Sequence, residues 1–233
     1  SKLSGLTGWG QVFGQTSHQG TRDGIAGFDA NMGGFAMGVD NRNIFSRAIV
    51  GASIANGHTS VDARAAAAPD TAINTYQLAL YGDYDLPQDA YVRGVAAYGF
   101  NSNDTTRDNA GGPRVNARGS YNAGEYTLMA ETGRHFTNGN LTLTPTALAR
   151  YSYYSPQSYT ETGAGVADLH VSQNAVNLFE LGLGGEMHWT LPQNDGSRLE
   201  PGLHAGYRYD MGNDRVDAAG GVAGGGGAFG ATG

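Results

Sequence analysis

The sequence predicts an all-β protein whose antiparallel strands form an up-and-down transmembrane β-barrel. Three observations lead to this fold class. Apolar and polar residues alternate over long stretches, connections of two sizes alternate along the chain, and the composition favours strands. The 233 residues include 38 Gly and 13 Tyr, and 15% of them are charged. This composition suits many strands and tight turns better than a helical bundle.

The composition also excludes several functions. The chain has no cysteine, so neither a disulfide framework nor a thiolate metal site is available. Its formal net charge is -7, and no basic cluster interleaved with aromatic residues occurs, which argues against nucleic-acid binding. No run of about 18 apolar residues is present, which excludes a transmembrane helix. We expect no cofactor and no metal ion to be bound.

Nine strands follow from the alternation, because successive side chains of a strand point to opposite faces. The first and third, in WGQVFGQ and RAIVGASIANG, alternate least regularly. The second, fourth and fifth set Phe35, Leu78 and Tyr98 opposite small or polar neighbours, and the sixth to ninth carry charges on the polar face. The predicted strands are residues 9–15, 34–40, 47–57, 76–83, 92–100, 125–131, 141–153, 179–189 and 199–211.

The connections between these strands alternate strictly between short and long. The short ones contain residues 41–43, 86–89, 137–140 and 191–197, rich in the Asn, Gly, Asp and Pro of tight turns. The long polar ones are residues 16–26, 58–72, 101–119, 154–173 and 212–233, the last a Gly-rich stretch expected to be a flexible loop. All long loops therefore lie at one end, as in membrane barrels with short periplasmic turns and long extracellular loops.

Strand length and aromatic placement also favour a membrane barrel. The stretch of residues 199–211, with a tilt near 40°, would rise roughly 30 Å and cross an apolar band of about 25 Å. Aromatic residues gather toward strand ends, as in interfacial girdles; they are Tyr151, Tyr153, Trp189, Tyr207 and Tyr209.

If the apolar face meets lipid, the charged face lines a polar pore. An Arg such as Arg208 on the lipid side would cost about 2 to 4 kcal/mol near the midplane, so polarity fixes the strand register. Glycines on the polar face leave space in the lumen. The predicted pore-lining residues are Asp83, Arg93, Glu125, Glu131, Arg150, Glu180, Glu186, His188, Glu200, His204, Arg208 and Asp210.

Two alternative functions remain open at this point. Glu186, His188 and His204 share the polar face of neighbouring strands, so an outer-membrane barrel enzyme acting on lipid or peptide is one alternative. No nucleophile elbow, zinc-protease motif or Walker loop accompanies them, so we predict no catalytic residue. The other alternative is a soluble β-sandwich adhesin module, whose apolar strand faces would form the core.

Several stretches together resemble a known family. GWGQVFGQTSHQGTRDGIAGFDANMGGFAMGVDN (residues 8–41) is similar to the opening hairpin of the C-terminal translocator β-barrel of autotransporters, the type V secretion proteins. Further similar elements are YQLALYGDY (residues 76–84), YVRGVAAYGFN (residues 91–101), LEPGLHAGYRYD (residues 199–210) and AGGGGAFGATG (residues 223–233).

The resemblance implies a twelve-stranded barrel in the outer membrane of a Gram-negative bacterium, which secretes and anchors or displays a passenger without any cofactor. The implied partners are the protein's own N-terminal passenger and pore helix, neither of them in this chain, outer-membrane lipid and the barrel-assembly machinery. We expect a monomer. Residues 1–233 are interpreted as one translocator domain lacking its last three strands, because nine strands would finish outside whereas such barrels have an even count.

Overall fold

The computed structural model describes residues 5–21, 27–65, 68–192, 197–211, 217–222 and 228–232. These residues fold almost entirely into antiparallel strands. The strands are β1 (Leu6–Gln19), β2 (Phe28–Phe45), β3 (Ala48–Ala63), β4 (Asp70–Leu86), β5 (Ala90–Arg107), β6 (Ala117–Arg134), β7 (Phe136–Asn138), β8 (Leu141–Pro156), β9 (Tyr159–Thr160), β10 (Leu169–Gln173), β11 (Val176–Trp189), β12 (Leu191–Pro192), β13 (Arg198–Leu199), β14 (Gly202–Asp210), β15 (Asp217–Val222) and β16 (Ala228–Thr232).

The principal sheet is an up-and-down meander with the order β1-β2-β3-β4-β5-β6-β8-β11-β14, and the short β7 pairs with β8. Each strand pairs with its neighbour in the sequence, which confirms the predicted all-β fold class. The nine long strands form an antiparallel half-barrel with β1 and β14 at its two edges. No helix among the described residues is long and apolar enough to cross a membrane.

A second set of paired strands, β16-β15-β10-β9, continues the same wall. Tyr154 of β8 pairs with Val176 of β11, and five positions farther along each strand Tyr159 of β9 pairs with Val171 of β10. The hairpin β9–β10 is therefore the extension of β8–β11 in one register. β15 pairs with β10 on the side where β14 pairs with β11, with the register displaced by one residue, and β16 pairs with β15.

Most strands are longer than the sequence predicts, and the predicted long loops are correspondingly shorter. On β5, for example, Ser102 and Asp104 point to one face while Asn101 and Asn103 point to the other. Both faces are polar there, so the alternation that marks a strand disappears although the ladder continues to Arg107. The short and long connections still alternate, with the long ones at one end of the sheet.

Two further predictions about connections are wrong. Residues 41–43 are not a turn but lie inside β2, at a register shift where the backbone N–H of Asn43 donates to Asn41 Oδ1 at 2.7 Å. The turn follows at residues 46–47, where Arg47 has a φ of 67°. The last strand begins at Gly202 rather than residue 199, because the proline at position 201 has no N–H to donate.

The Gly-rich end of the chain is also different from the prediction. Residues 217–222 and 228–232 form the hairpin β15–β16 instead of a flexible loop. The rest of the predicted loop, residues 212–216, 223–227 and 233, lies outside the described residues. Parts of three other predicted connections, residues 22–26, 66–67 and 193–196, also lie outside them.

A polar inner face as the candidate functional site

The two faces of the sheet have opposite chemical character. One face carries large apolar side chains that are open to the surroundings, such as Leu78 at 55%, Leu80 at 60% and Leu183 at 71% exposure. Isolated exposed leucines are common on soluble proteins, but a continuous apolar surface marks a contact with lipid or another protein. The other face carries the charged and hydroxyl side chains, and its Asn101, Asn103 and Thr144 are buried.

The polar face is the concave, inner one. Trp9 of β1 donates its indole Nε1–H to the hydroxyl of Tyr81 of β4 at 2.6 Å, across β2 and β3. The same hydroxyl donates to Asp40 Oδ2 of β2 at 3.3 Å. A contact across two intervening strands is favoured on the concave side of a curved sheet, and the large apolar side chains of the opposite face stay exposed. The sheet is therefore polar inside and apolar outside.

The structure places eleven of the twelve predicted site residues on this inner face. The pairing register shows it directly, because residues opposite each other in an antiparallel ladder share a face. Asp83, Arg93 and Glu131 stand opposite one another on β4, β5 and β6, and Arg150 stands opposite Glu180. The others on this face are Glu125, Glu186, His188, His204, Arg208 and Asp210. Glu200 lies between β13 and β14, outside the ladder.

The charges on β4, β5 and β6 form one network. Arg93 Nε lies 3.5 Å from Asp83 Oδ2, and Arg93 Nη1 lies 3.4 Å from Glu131 Oε1. Its guanidinium also covers the ring of Tyr91, 4.7 Å from the centroid, and the Tyr91 hydroxyl donates to Glu131 at 3.1 Å. The arginine therefore lies between two acidic side chains and above an aromatic ring.

A second network links β8, β11 and β14. Glu180 is 13% exposed and stands between Arg150 Nη1 at 3.7 Å and Arg208 Nε at 3.5 Å. Its Oε1 makes no hydrogen bond, so the contact with Arg208 is an ion pair without hydrogen-bond alignment. One largely buried carboxylate thus lies between two guanidinium groups on the inner wall.

The third group is the set that suggested a catalytic alternative. Glu186 Oε2 lies 3.5 Å from His188 Nε2, and Glu186 Oε1 lies 3.8 Å from His204 Nδ1. The three side chains are 46 to 67% exposed, so water competes for each contact. Within the described chain, no group of three or more His, Cys, Asp or Glu side chains is arranged to hold a metal ion.

Sequence reasoning missed the aromatic residues that lie flat on the inner wall. The Trp9 ring crosses Gly38, where a Cβ atom would stand 2.6 Å from its Cε2, and Tyr91 crosses Gly133 in the same way. Tyr81 covers Gly51 so closely that any side chain there would overlap its ring. The sequence signal that could have identified these rings is a glycine directly opposite each inward aromatic residue on the neighbouring strand.

A further inner-face cluster lies at the long-loop end, within stretches that the sequence predicted as loops. Arg107, at the end of β5, donates from Nη2 to Glu161 Oε2 at 2.5 Å and from Nε to Oε1 at 3.2 Å. The two side chains are 14% and 3% exposed. Beside them Tyr159 stacks on Tyr121 with 5.0 Å between ring centroids, and burial raises the pKa of Tyr159. No alternation of apolar and polar residues marks this region, so it could not be predicted from the pattern.

Comparison with known proteins places these features in context. A family model described as the autotransporter β-domain matches residues 8–233. The chain is 26% identical over 212 residues to the probable autotransporter YpjA of Escherichia coli K12, a match that covers 88% of this chain and 13% of that protein. It is also 26% identical over 212 residues to outer membrane protein B of Rickettsia rickettsii, covering 84% of this chain and 12% of the relative. The chain therefore spans only about an eighth of these relatives.

Solved structures share the fold. The translocator domain of the autotransporter NalP from Neisseria meningitidis superposes with a TM-score of 0.67 and 19% identity, over 98% of this chain and 81% of that one. The β-domain of the Bordetella autotransporter BrkA gives a TM-score of 0.64 and 18% identity, over 93% and 84% of the two chains.

Proposed function

The chain belongs to the autotransporter β-domain family, and from this membership we propose that its barrel secretes a passenger segment of its own polypeptide and anchors or displays it at the cell surface. The family sets the location as the bacterial outer membrane and the role as that of a translocator linked to an N-terminal passenger. The passenger's identity and activity lie outside this domain.

The observation that carries the proposal is the inverted distribution of polarity. A soluble sandwich buries its apolar faces between two sheets, whereas here they lie on the outside of a single curved sheet. In a membrane the apolar face makes favourable contacts with lipid acyl chains, and the polar face can line a hydrated passage. We propose that the inner-face charges, together with Glu200, line the pore through which the passenger leaves.

The complete barrel is proposed to have twelve strands. β1 and β14 both present backbone groups at the edges of the described half-barrel, and an unpaired edge costs several kcal/mol per group in hydrocarbon. The start of a tenth wall strand at β16 agrees with further strands that close the barrel. The remaining partners we propose are a pore helix, outer-membrane lipid around a monomer, and the barrel-assembly machinery.

The Glu186, His188 and His204 group is proposed to be structural. Its members lie at the short-turn end of the β11–β14 seam, where the imidazoles surround a single carboxylate. Replacing both His188 and His204 with Ala is expected to leave secretion and every hydrolytic activity of the cells unchanged. Loss of a lipid or peptide hydrolysis with secretion intact would instead identify an enzyme.

The central test uses the complete protein expressed in a Gram-negative host. We expect the barrel in outer-membrane fractions, with slower gel migration after heating and resistance to trypsin, and the passenger accessible to protease on intact cells. A matched protein whose β-domain is deleted should retain its passenger in the periplasm. The proposal would be contradicted by a product that is soluble without detergent. It would also be contradicted by a passenger that reaches the cell surface when the β-domain is deleted.

A further inference from the structure

The wall of the barrel continues well beyond the membrane at the long-loop end. The outward aromatic side chains Tyr98, Tyr126 and Tyr153 lie in a row across β5, β6 and β8, with Tyr98 and Tyr126 4.9 Å apart. Such a row marks a membrane interface. From Tyr153 to Thr160 the chain continues alongside β6 for seven positions, about 20 Å of extended strand. We call residues 157–175, which form the top of this hairpin, the collar hairpin.

The collar hairpin is joined to β6 by its backbone. The N–H of Gln157 donates to Asn122 O at 2.9 Å. Arg118 and Thr162 then exchange two backbone hydrogen bonds, each of 2.8 Å. The hairpin thus pairs with β6 on one side, and its strand β10 pairs with β15 on the other. Tyr159, Glu161, Leu169 and Val171 share the face that looks into the outlet, and the turn at residues 163–168 lies beyond both ladders.

Arg107 and Glu161 hold the inner face of this hairpin against the wall. The guanidinium makes two contacts with the carboxylate and a third hydrogen bond to Ala167 O at 2.9 Å. Glu161 Oε2 also accepts the backbone N–H of Leu169 at 3.1 Å. The pair lies over Ala117, which is completely buried and stands opposite Arg107 in the ladder. One ion pair therefore connects the end of β5, the residue that follows β9, the 3-10 turn at residues 165–167 and β10.

The chemistry of this contact differs from that of an ordinary extracellular loop. A surface ion pair is weak because water competes with it, but this carboxylate is 3% exposed and its removal from the arginine would leave a buried charge. The inward residues Tyr159, Leu169 and Val171 are apolar or aromatic. If the turn between β9 and β10 came loose, contact with these inward apolar side chains would favour its folding over the opening.

We propose that the Arg107–Glu161 pair is a latch that holds the collar hairpin upright and keeps the extracellular outlet of the pore open for the passenger. This inference rests on the proposed secretion function for its consequence, although the latch itself is a property of the wall. Without the latch the turn at residues 163–168 separates from the wall and folds over the outlet.

The first experiment uses the complete protein with its passenger. Glu161→Gln keeps an acceptor for the Leu169 N–H but removes the charge that holds Arg107. We expect protease added to intact cells to cut residues 163–168 about tenfold faster, since an opened segment is cleaved in proportion to its open population. Pulse-chase labelling should show the passenger reaching the surface several-fold more slowly. Heat-modifiable barrel in the outer membrane should be unchanged.

Asp104→Asn is the matched control, because Asp104 also lies on the upper part of β5 but on the outward face. It should alter neither protease cutting nor export. Arg107→Gln should reproduce the Glu161→Gln effects, because it leaves the carboxylate buried without its partner.

A disulfide tests whether the upright position itself matters. Residues that exchange two backbone hydrogen bonds have Cα atoms about 5.5 Å apart, within the range a disulfide spans. The chain has no native cysteine, so Arg118→Cys with Thr162→Cys gives one defined bridge. Added to Glu161→Gln, it should restore export and protease resistance when oxidised and lose both when reduced.

Each unfavourable result has a distinct meaning. A collar hairpin that stays protected in Glu161→Gln overturns the latch. A hairpin that is cut freely while export keeps its normal rate overturns its role in holding the outlet open. If the unmodified protein exports no passenger, the proposed function fails, and protease cutting still decides whether the latch exists.

Discussion

At the level of single residues, the inner wall shows why a glycine is needed opposite an inward aromatic ring. Tyr81 lies flat across Gly51, and its hydroxyl accepts the Trp9 indole and donates to Asp40. The ring needs the space that a Cβ atom would occupy. One aromatic side chain therefore connects β1, β2, β3 and β4 through contacts that a side chain at position 51 would prevent.

Replacing Gly51 with Ala should destabilise the barrel. The new Cβ would overlap the Tyr81 ring and push its hydroxyl away from Trp9 and Asp40. Overpacking of this kind costs about 1 to 3 kcal/mol. The urea concentration at which the heat-modifiable form is half lost should fall. Gly8→Ala is the control, since nothing lies within 4 Å of a Cβ atom there. Equal midpoints for the two variants would contradict this account.

The sequence predicts well which face of the sheet a side chain points to. It predicts poorly which other side chains it will contact. Alternation predicted that Glu180 points inward, and the ladder places it there. That Arg150 and Arg208 both approach it depends on the stagger of β8 and β14 against β11, which no local pattern encodes. Arg107 and Glu161 were missed for another reason. They lie above the aromatic row, where both faces meet water and selection for alternation ends.

At the level of strands, the free-energy cost of placing a charged side chain depends on the face of the sheet that it occupies. β5 offers two adjacent alanines for comparison, because Ala96 points outward between Leu80 and Leu128 and Ala97 points inward between Ala79 and Thr127. Tyr98 of the same strand belongs to the aromatic row, and Ala96 is the next outward position toward the short-turn end, within the apolar band. The two positions differ in face and in little else.

Ala96→Arg should therefore impair the barrel while Ala97→Arg is tolerated. An arginine facing lipid costs about 2 to 4 kcal/mol at the midplane and less toward the interface, whereas one facing a hydrated lumen keeps its water and can approach Glu125. The amount of heat-modifiable protein in the outer membrane and its urea midpoint measure both effects. The interpretation of the two faces would be wrong if Ala97→Arg were the more damaging change.

The element boundaries show where prediction from sequence ends. Nine long strands in meander order followed from alternation and turn residues, and the structure confirms them. The parts of β5 and β6 nearest the long loops could not be predicted in this way. Asn103 and Thr105 on one face and Asp104 and Thr106 on the other are all polar, so the two faces do not differ in polarity. The start of β14 shifted for a local reason, the missing N–H of the proline at position 201. Backbone pairing continues wherever a neighbour strand exists, regardless of side-chain pattern.

For the whole molecule, the question is which side of the curved sheet meets lipid. In a soluble sandwich the apolar faces are enclosed by a second sheet, and water-soluble reagents reach the charged faces from outside. In a membrane barrel the apolar face contacts acyl chains, and water reaches the charged face only through the pore. Adjacent residues on one strand report the two environments separately. Gln77 and Leu78 of β4 are such a pair, and Leu78 is 55% exposed on the outer face.

Single cysteines at these two positions should therefore label in opposite ways, and the absence of native cysteine leaves no background. In outer membranes containing the complete protein, Leu78→Cys should react with a lipid-soluble maleimide and resist a charged one. Gln77→Cys should react with the charged reagent at a rate that depends on access through the pore. Both cysteines should react with the charged reagent once the barrel is unfolded in urea and detergent. Rapid labelling of Leu78→Cys by the charged maleimide in intact membranes would show that water, not lipid, covers the outer face.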